Sequence, residues 1–387
     1  MNKVPNLRFS SFNDGWKKIK LGDKCTFYSG GTPLTTNKKY YDGNIPFIRS
    51  AEISSTSTEL NISEDGLNNS SAKIVKKGDL LYALYGATSG EVSISKIDGA
   101  INQAILCIQS DQLNLSFLEK ILRKNKDNII NTYLQGGQGN LSSKIVQDLR
   151  YYFPSLEEQE KIASFFSLID KKIELQTEKV EELKNYKKGI MQKIFSQELR
   201  FKDENGNDYP SWKEYKVKDL FDVTRGVVIA KNEISDKSNE TFKYAVYSSQ
   251  TSNNGILGYD QTFDFDGNYL TWTTDGANAG RVFCRSGKFR CTNVCGVLVE
   301  KDNTIGYANK LVAEILNKET PKHVSYVGNP KLMNGVMAEI KLSIPSLEEQ
   351  TKIDKLINQL DIKIESEQMK LSLLVDYKKG LLQQMFI

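Results

Sequence analysis

The sequence predicts an α+β chain: two mixed α/β domains separated by two long helices that form an antiparallel coiled coil, arranged as a pseudo-two-fold internal repeat. Three observations carry that expectation. The stretch "PSLEEQ" occurs at Pro154–Gln159 and again at Pro345–Gln350. The stretch "YKKG" occurs at Tyr186–Gly189 and Tyr377–Gly380, with the same separation of 191 residues. Both lie in charged segments whose apolar residues step by four and three, whereas the sequence between them reads as short strands.

Aligned without a gap, residues 154–195 and 345–386 share 20 identities in 42 positions. The repeat reaches further. "LRF" stands at Leu7–Phe9 and Leu199–Phe201, Trp16 in "GWKKIKLGD" matches Trp212 in "SWKEYKVKD", and "GATSGEV" resembles "GANAGRV". Four segments follow: a domain over 1–153, a long helix within 154–198, a second domain over 199–344 and a second long helix within 345–387.

Each helix should start at the Pro–Ser–Leu–Glu–Glu run. Proline stops the preceding strand, serine caps, and the acids complement the positive end of the helix dipole. Phe166, Ile169, Ile173, Val180, Leu183, Ile190 and Ile194 follow Ile162 as a heptad seam broken at Gln176 and Lys187. The second copy breaks at the equivalent Glu367 and Lys378. About 40 residues per helix means ~60 Å at 1.5 Å per residue. Such an amphipathic helix needs a partner for its seam, and two equivalent modules in one chain provide it most simply by antiparallel packing. In the domains, strands are expected in "NIPFIRSAEI", "GDLLYALYG", "EVSISKI" and "GVLVEKD". Helices are expected in "LSFLEKILRKNKDNIINTYL" and "TIGYANKLVAEILNKE".

With 387 residues the chain is long enough for two domains with separate cores. Its 39% hydrophobic and 26% charged residues are ordinary for a soluble protein, and no run of apolar residues reaches membrane-spanning length. The opening residues lack the apolar core of a signal peptide, so a cytoplasmic location is expected. Cys25, Cys107, Cys284, Cys291 and Cys295 are odd in number and form no C-x-x-C pair, which argues against a disulfide framework and a zinc site. No metal site is expected. Residues 1–153 hold 19 Lys and Arg against 14 Asp and Glu, so the net charge of +4 originates in the first domain. That surplus is compatible with nucleic acid.

No catalytic residue is assigned. His323 is the single histidine, no G-x-x-x-x-G-K-[ST] loop is present, and no Asn-Pro-Pro-Tyr or Asp-Pro-Pro-Tyr stretch of an amino-methylating enzyme occurs. The domains do carry loop chemistry suited to phosphates and base edges. In "SGGTPLTTNKKYYDGNIPFIRS" the candidates are Thr32, Thr35, Thr36, Asn37, Lys38, Lys39, Tyr40, Arg49 and Ser50, with the two lysines meeting phosphates. Tyr85, Thr88 and Ser89 around "GATSG", and Gln138 and Asn140 in "GGQGN", complete the first domain. In the second the candidates are Arg225, Lys231, Tyr247, Ser248, Ser249, Gln250, Asn254, Trp272, Thr274, Asn278 and Arg281.

A Pro–x–Leu–x–Glu–Gln helix start after each of two variable domains resembles the specificity subunit of Type I restriction–modification systems. "GGTP…YYDGNIPFI" and "VYSSQTSNNGILGYD" followed by "GANAG" are similar to openings of that family's target-recognition domains. The resemblance covers essentially the whole chain. It implies a non-catalytic subunit of a Type I restriction enzyme and adenine-N6 methyltransferase complex. Each domain would read one half of a split site in double-stranded DNA. The helices would set the spacing and dock two methyltransferase subunits, and two restriction–motor subunits would complete the assembly. No cofactor is expected in this chain; S-adenosylmethionine, ATP and Mg2+ belong to the partners. Helix-face candidates for docking are Glu157, Glu158, Gln159, Tyr186 and Lys188, with their second-copy matches Glu348, Glu349, Gln350, Tyr377 and Lys379. The competing reading is a coiled-coil scaffold carrying two domains for ligands other than DNA.

Overall fold

The computed structural model describes residues 4–134, 140–302 and 305–387. The chain forms two compact units, Met1–Thr177 with Met369–Ile387, and Glu178–Gln368. Each unit therefore holds one domain and one half of each long helix.

In the first unit the chain enters and leaves its domain side by side. Strand Lys17–Lys20 pairs antiparallel with Arg150–Phe153, Lys17 opposite Phe153. Between them lie two four-stranded sheets. One orders Thr26–Ser29, Ile105–Gln109, Leu80–Ala83 and Val92–Ile94; the other orders Asn61–Ile62, Ile45–Ile48, Gly99–Ile101 and Lys73–Val75. Leu80–Ala83 is buried at every position, which is why its sequence shows no alternation. Helix Leu115–Lys124 packs behind, its first turn capped by the Asn114 side chain, which accepts the Phe117 N–H at 2.9 Å.

The second unit repeats the frame around a different filling. Strand Lys213–Lys216 pairs with Lys341–Ile344, Lys213 opposite Ile344. Between them one six-stranded sheet orders Phe221–Arg225, Cys295–Glu300, Phe265–Thr273, Val282–Cys291, Tyr244–Tyr247 and Ile256–Asp260. The helix expected across "TIGYANKLVAEILNKE" begins only at Lys310, because Asn309 turns its side chain to accept the Val312 N–H at 2.9 Å.

The long helices run Leu156–Phe195 and Leu347–Met385. Ser155 and Ser346 cap them, each hydroxyl oxygen accepting the N–H three residues on at 3.4 Å. In the first unit the start of one helix lies beside the end of the other. Ile162, Phe166 and Ile169 share a core with Leu381, Met385 and Phe386. The Phe386 ring lies 5.0 Å from Phe117 and 5.8 Å from Phe166. The second unit shows the converse pairing, with Met191 and Ile194 sharing a core with Ile353 and Ile357. The helix halves are thus antiparallel in both.

The polar breaks in the seam find charged partners. Lys378 reaches Asp170, which also takes Lys120 at 2.7 Å. At the equivalent place Lys187 meets Asp361 at 2.7 Å, and Lys310 meets the same carboxylate at 3.0 Å. Glu367, almost fully buried, meets Lys179 at 3.2 Å and Lys363 at 3.6 Å. Burial pushes the Asp170 carboxyl up, yet hydrogen bonds from Lys120 and Lys378 outweigh it and hold the group below the usual carboxylate range.

The repeated words PSLEEQ and LRF meet each other. Arg8 straddles Glu158 with two bonds of 2.7 Å, and Arg200 straddles Glu349 at 3.1 and 2.6 Å. The carboxylates are 1% and 0% exposed. Beside them Gln159 donates to the Pro154 carbonyl and Gln350 to the Pro345 carbonyl, both at 3.0 Å. The Gln159 side-chain oxygen accepts the Asn114 N–H, and the Gln350 oxygen accepts the Asn309 amide. The arm is pinned as well, since Leu7 donates to the Gln384 carbonyl as Leu199 donates to that of Lys193, each at 3.0 Å. These two clasps tie arm, domain and long helix together in each unit.

Two predictions follow from this frame. Glu349→Ala leaves Arg200 uncompensated in a part-buried site and should cost about 3 kcal/mol of unfolding free energy in urea titrations. The double replacement Arg200→Met with Glu349→Leu should recover most of that loss. Because the Asp170 value is depressed on folding, its contribution is present above the free-aspartate range near pH ~3.9 and is lost as pH falls through the folded value. Thermal melts should therefore show an acid limb that starts within about one unit of the free-aspartate value of ~3.9, continues below it, and is shallower in Asp170→Asn.

Candidate nucleic-acid interface

In the first domain the loop after Gly30 is pinned at several points and otherwise open. Thr32 Oγ1 lies 2.8 Å from Gln103 Oε1, the Tyr41 hydroxyl donates to the Pro33 carbonyl at 2.7 Å, and the Ser63 hydroxyl donates to the Lys39 carbonyl at 2.9 Å. Asn37 accepts the Lys39 N–H and so caps the short turn Lys38–Tyr41. Thr32, Thr35, Thr36, Lys38 and Lys39 remain exposed, with Tyr40 and Ser50 half-buried beside them. A second patch brings Tyr85 and Thr88 beside the exposed Asn140, whose backbone bridges that of Tyr85.

Three expectations for this domain change. Arg49 is clamped by two carboxylates, Glu52 at 3.0 Å and Glu59 closer still, which raise its pKa and neutralise its charge. Its fork is therefore not free to meet a base edge. Ser89 is buried, its hydroxyl donating to the Gly86 carbonyl at 2.9 Å, so it builds the turn instead of facing a ligand. Gln138 lies outside the described residues.

In the second domain the expected residues converge on one end of the six-stranded sheet. Loops 248–255 and 273–281 and the turn 292–294 interlock there. Ser249 Oγ accepts the Thr274 N–H at 3.0 Å and donates to the Val294 carbonyl; Thr292 and Ser248 share a hydroxyl bond of 2.9 Å. Asn278 donates to Thr251 Oγ1 at 3.1 Å. The amide of Gln250 donates to the Ile256 carbonyl at 2.5 Å. Ser248, Ser249 and Gln250 are therefore scaffold of the loop, whereas Asn254, Asn278, Arg281, Arg225 and Lys231 are exposed. Tyr247 is half-buried at the strand end.

Two residues placed in this group belong to the core. Trp272 is 0% exposed, its indole N–H donates to the Leu332 carbonyl at 3.1 Å, and its ring lies so close over Gly296 that a Cβ there would sit 2.3 Å away. Thr274 is buried with its hydroxyl donated to the Val294 carbonyl at 2.8 Å. Sequence reasoning also passed over Arg285, which lies under the same loops against Gly255; nothing in "VFCRSGKFRC" distinguishes it from Lys288 and Arg290 in the same strand.

The helix faces divide in the same way. Glu158, Gln159, Glu349 and Gln350 are buried and bonded within their own units, so their side chains are not free for a docking partner. Glu157, Lys188, Glu348 and Lys379 are exposed. Tyr186 and Tyr377, at equivalent positions, are 58% and 57% exposed, and Leu168, Leu175, Ile362, Met369 and Leu373 also face outwards. Lys188 borders a groove of about 590 Å³ in the second unit with Lys184, Lys318 and Arg281 around a floor that includes Met191 and Phe195. Among the described residues no group of three His, Cys, Asp or Glu is placed to hold a metal ion, and no helix is long and apolar enough to cross a membrane.

The molecule is similar in fold to the S subunit of a Type I restriction–modification system from M. genitalium, with a TM-score of 0.65 at 17% identity over 100% of this chain and 99% of that one. Among curated proteins, a specificity subunit of Mycoplasma pneumoniae is 38% identical over 234 residues, 57% of this chain and 81% of that protein. The MjaVIII specificity subunit of Methanocaldococcus jannaschii is 21% identical over 388 residues, 91% and 87% of the two chains. The Type I restriction modification DNA specificity domain matches twice, at residues 13–185 and 210–374. Two matched domains on a repeated frame, over most of the length, make this chain a member of the Type I restriction–modification specificity-subunit family.

Proposed function

We propose that the chain is the non-catalytic DNA-reading subunit of a Type I restriction–modification complex, and that each domain reads one half of a two-part site in double-stranded DNA. The observation that carries this reading is an invariant frame around unlike contents. Clasp, paired entry and exit strands and long helix halves recur in both units, while one frame holds two small sheets and the other a single six-stranded sheet. A chain that reads two different sequences at a fixed separation needs that division of labour. Two tethered readers also raise each other's effective concentration, so neither needs high affinity alone.

The long helices set the separation and dock two methyltransferase subunits. Tyr186 and Tyr377, with Glu157, Lys188, Glu348 and Lys379, offer equivalent exposed positions for two copies of one partner. The partner supplies S-adenosylmethionine and acts on an adenine N6 flipped from the duplex; two motor–nuclease subunits supply the ATP- and Mg2+-dependent steps. Exposed Lys38 and Lys39 suit DNA phosphates.

Co-expression with the cognate methyltransferase subunit, followed by sequencing of adenine methylation, should reveal a two-part motif with a fixed gap. Methylation of one continuous short motif would overturn the two-reader account. Lengthening both helices by one heptad, ~10 Å at 1.5 Å per residue, should widen the gap by about 3 base pairs at ~3.4 Å each without altering either half. In a salt titration of DNA binding, Lys38→Ala with Lys39→Ala should lower the slope of log K against log salt by about 2 and weaken all duplexes alike.

A further inference from the structure

Arg285 is 4% exposed, yet among the described residues no carboxylate forms an ion pair with it. Its guanidinium carbon lies 3.8 Å over the Tyr247 ring and 4.3 Å over that of Phe283, so the fork rests against two aromatic rings. Nε donates to Thr271 Oγ1 at 3.3 Å. Its near neighbours Tyr247, Cys284, Cys291 and Cys295 carry neutral phenol and thiol groups, and none is a carboxylate. Burial pulls its pKa below the ordinary arginine value. Arg290 in the same strand behaves differently, bridging Asp260 at 2.8 Å and Asp264 at 3.1 Å.

A buried charge without an opposite charge is costly, and aromatic faces offset only part of that cost. Such a feature is tolerated where an outside ligand completes it. The structure also indicates the direction of approach. One terminal nitrogen lies against Gly255, 2.8 Å from where a Cβ would sit. Gly255 belongs to the cover Thr251–Gly255, in which Asn253, Asn254 and Gly255 all have positive φ, at 47°, 51° and 81°. Three successive residues in the left-handed region form a segment with little intrinsic preference for its own shape. Among the described residues its side-chain ties are Asn278 to Thr251 and bonds from Gln250 and Asn253 to the Ile256 carbonyl.

We propose that Arg285 is a DNA-contacting residue of the second domain, held ready against Tyr247 and Phe283 and covered by Thr251–Gly255 until a planar pair of acceptors from DNA completes it. The fixed fork of arginine matches two such sources, the O6 and N7 of a guanine or two oxygens of one phosphate. With Nε given to Thr271, the terminal nitrogen that lies against Gly255 is on the side of the loops. This inference rests on the DNA-reading function proposed above.

The test uses the full chain with its methyltransferase partner and duplexes carrying the methylated motif or a scrambled one. Binding is followed by fluorescence anisotropy and folding by thermal melting. Arg285→Met keeps the volume and removes the charge. It should melt at the wild-type temperature or higher and bind the cognate duplex at least 10-fold more weakly. Arg285→Lys, which keeps the charge and loses the fork, should also fall short of wild type. A guanine contact predicts loss on the cognate duplex alone, with the methylated motif relaxed at one position. A phosphate contact predicts equal loss on both duplexes and a salt slope reduced by about 1. Cognate affinity of Arg285→Met equal to wild type would overturn the proposal while leaving DNA reading intact. A wild-type complex that did not prefer the cognate duplex would instead overturn the function on which the proposal rests.

Discussion

Everything in this chain hangs on a two-toothed ion pair made twice. Arg8 on Glu158 and Arg200 on Glu349 hold the arm, the domain exit and the start of a long helix at one point in each unit. The carboxylates are buried at the first helical turn, where the N-terminal dipole also favours negative charge. A bidentate guanidinium fixes direction as well as distance, so the helix leaves its domain at a defined angle. The seam pairs Lys187–Asp361 and Lys378–Asp170 then fix where each helix half meets its antiparallel neighbour. Polar groups in a seam cost stability and specify register, and here they are satisfied at equivalent positions.

The repeat, the long helices and the seam were legible because they depend on local periodicity, which survives in one dimension. The breaks at Lys187 and Lys378 are visible in the sequence, but nothing local says that they meet Asp361 and Asp170. The failure at Glu158, Gln159, Glu349 and Gln350 has the same origin. Identity between two copies has two causes, a shared external partner or a shared internal one, and the partner of Glu158 lies 150 residues away in sequence. "LRF" was recognised as repeated, yet its arginine could be joined to "PSLEEQ" only in three dimensions.

The loops show the opposite limit. Polar composition identified the end of the six-stranded sheet where Asn254, Asn278 and Arg281 gather, but not which groups face outwards. Leu270 and Trp272 share one face of their strand and both enter the core. Ser248 and Ser249 spend their hydroxyls on holding loop to loop. Arg49, a free cation as far as its sequence goes, is offset by Glu52 and Glu59, whereas among the described residues no carboxylate pairs with Arg285. Charge in sequence and charge available to a ligand are different quantities, and burial with pairing converts one into the other.

The central claim is that frame and reading are separable in this molecule. The most direct measurement places the contents of the second frame in both: residues between Lys17 and Phe153 are replaced by those between Lys213 and Ile344, leaving both clasps and both helices unchanged. The chimera is expressed with the methyltransferase partner and its adenine methylation is sequenced. A frame separable from its contents should yield a two-part motif with two identical halves and the original gap. A folded chimera that kept the original unequal halves, or changed the gap, would contradict it.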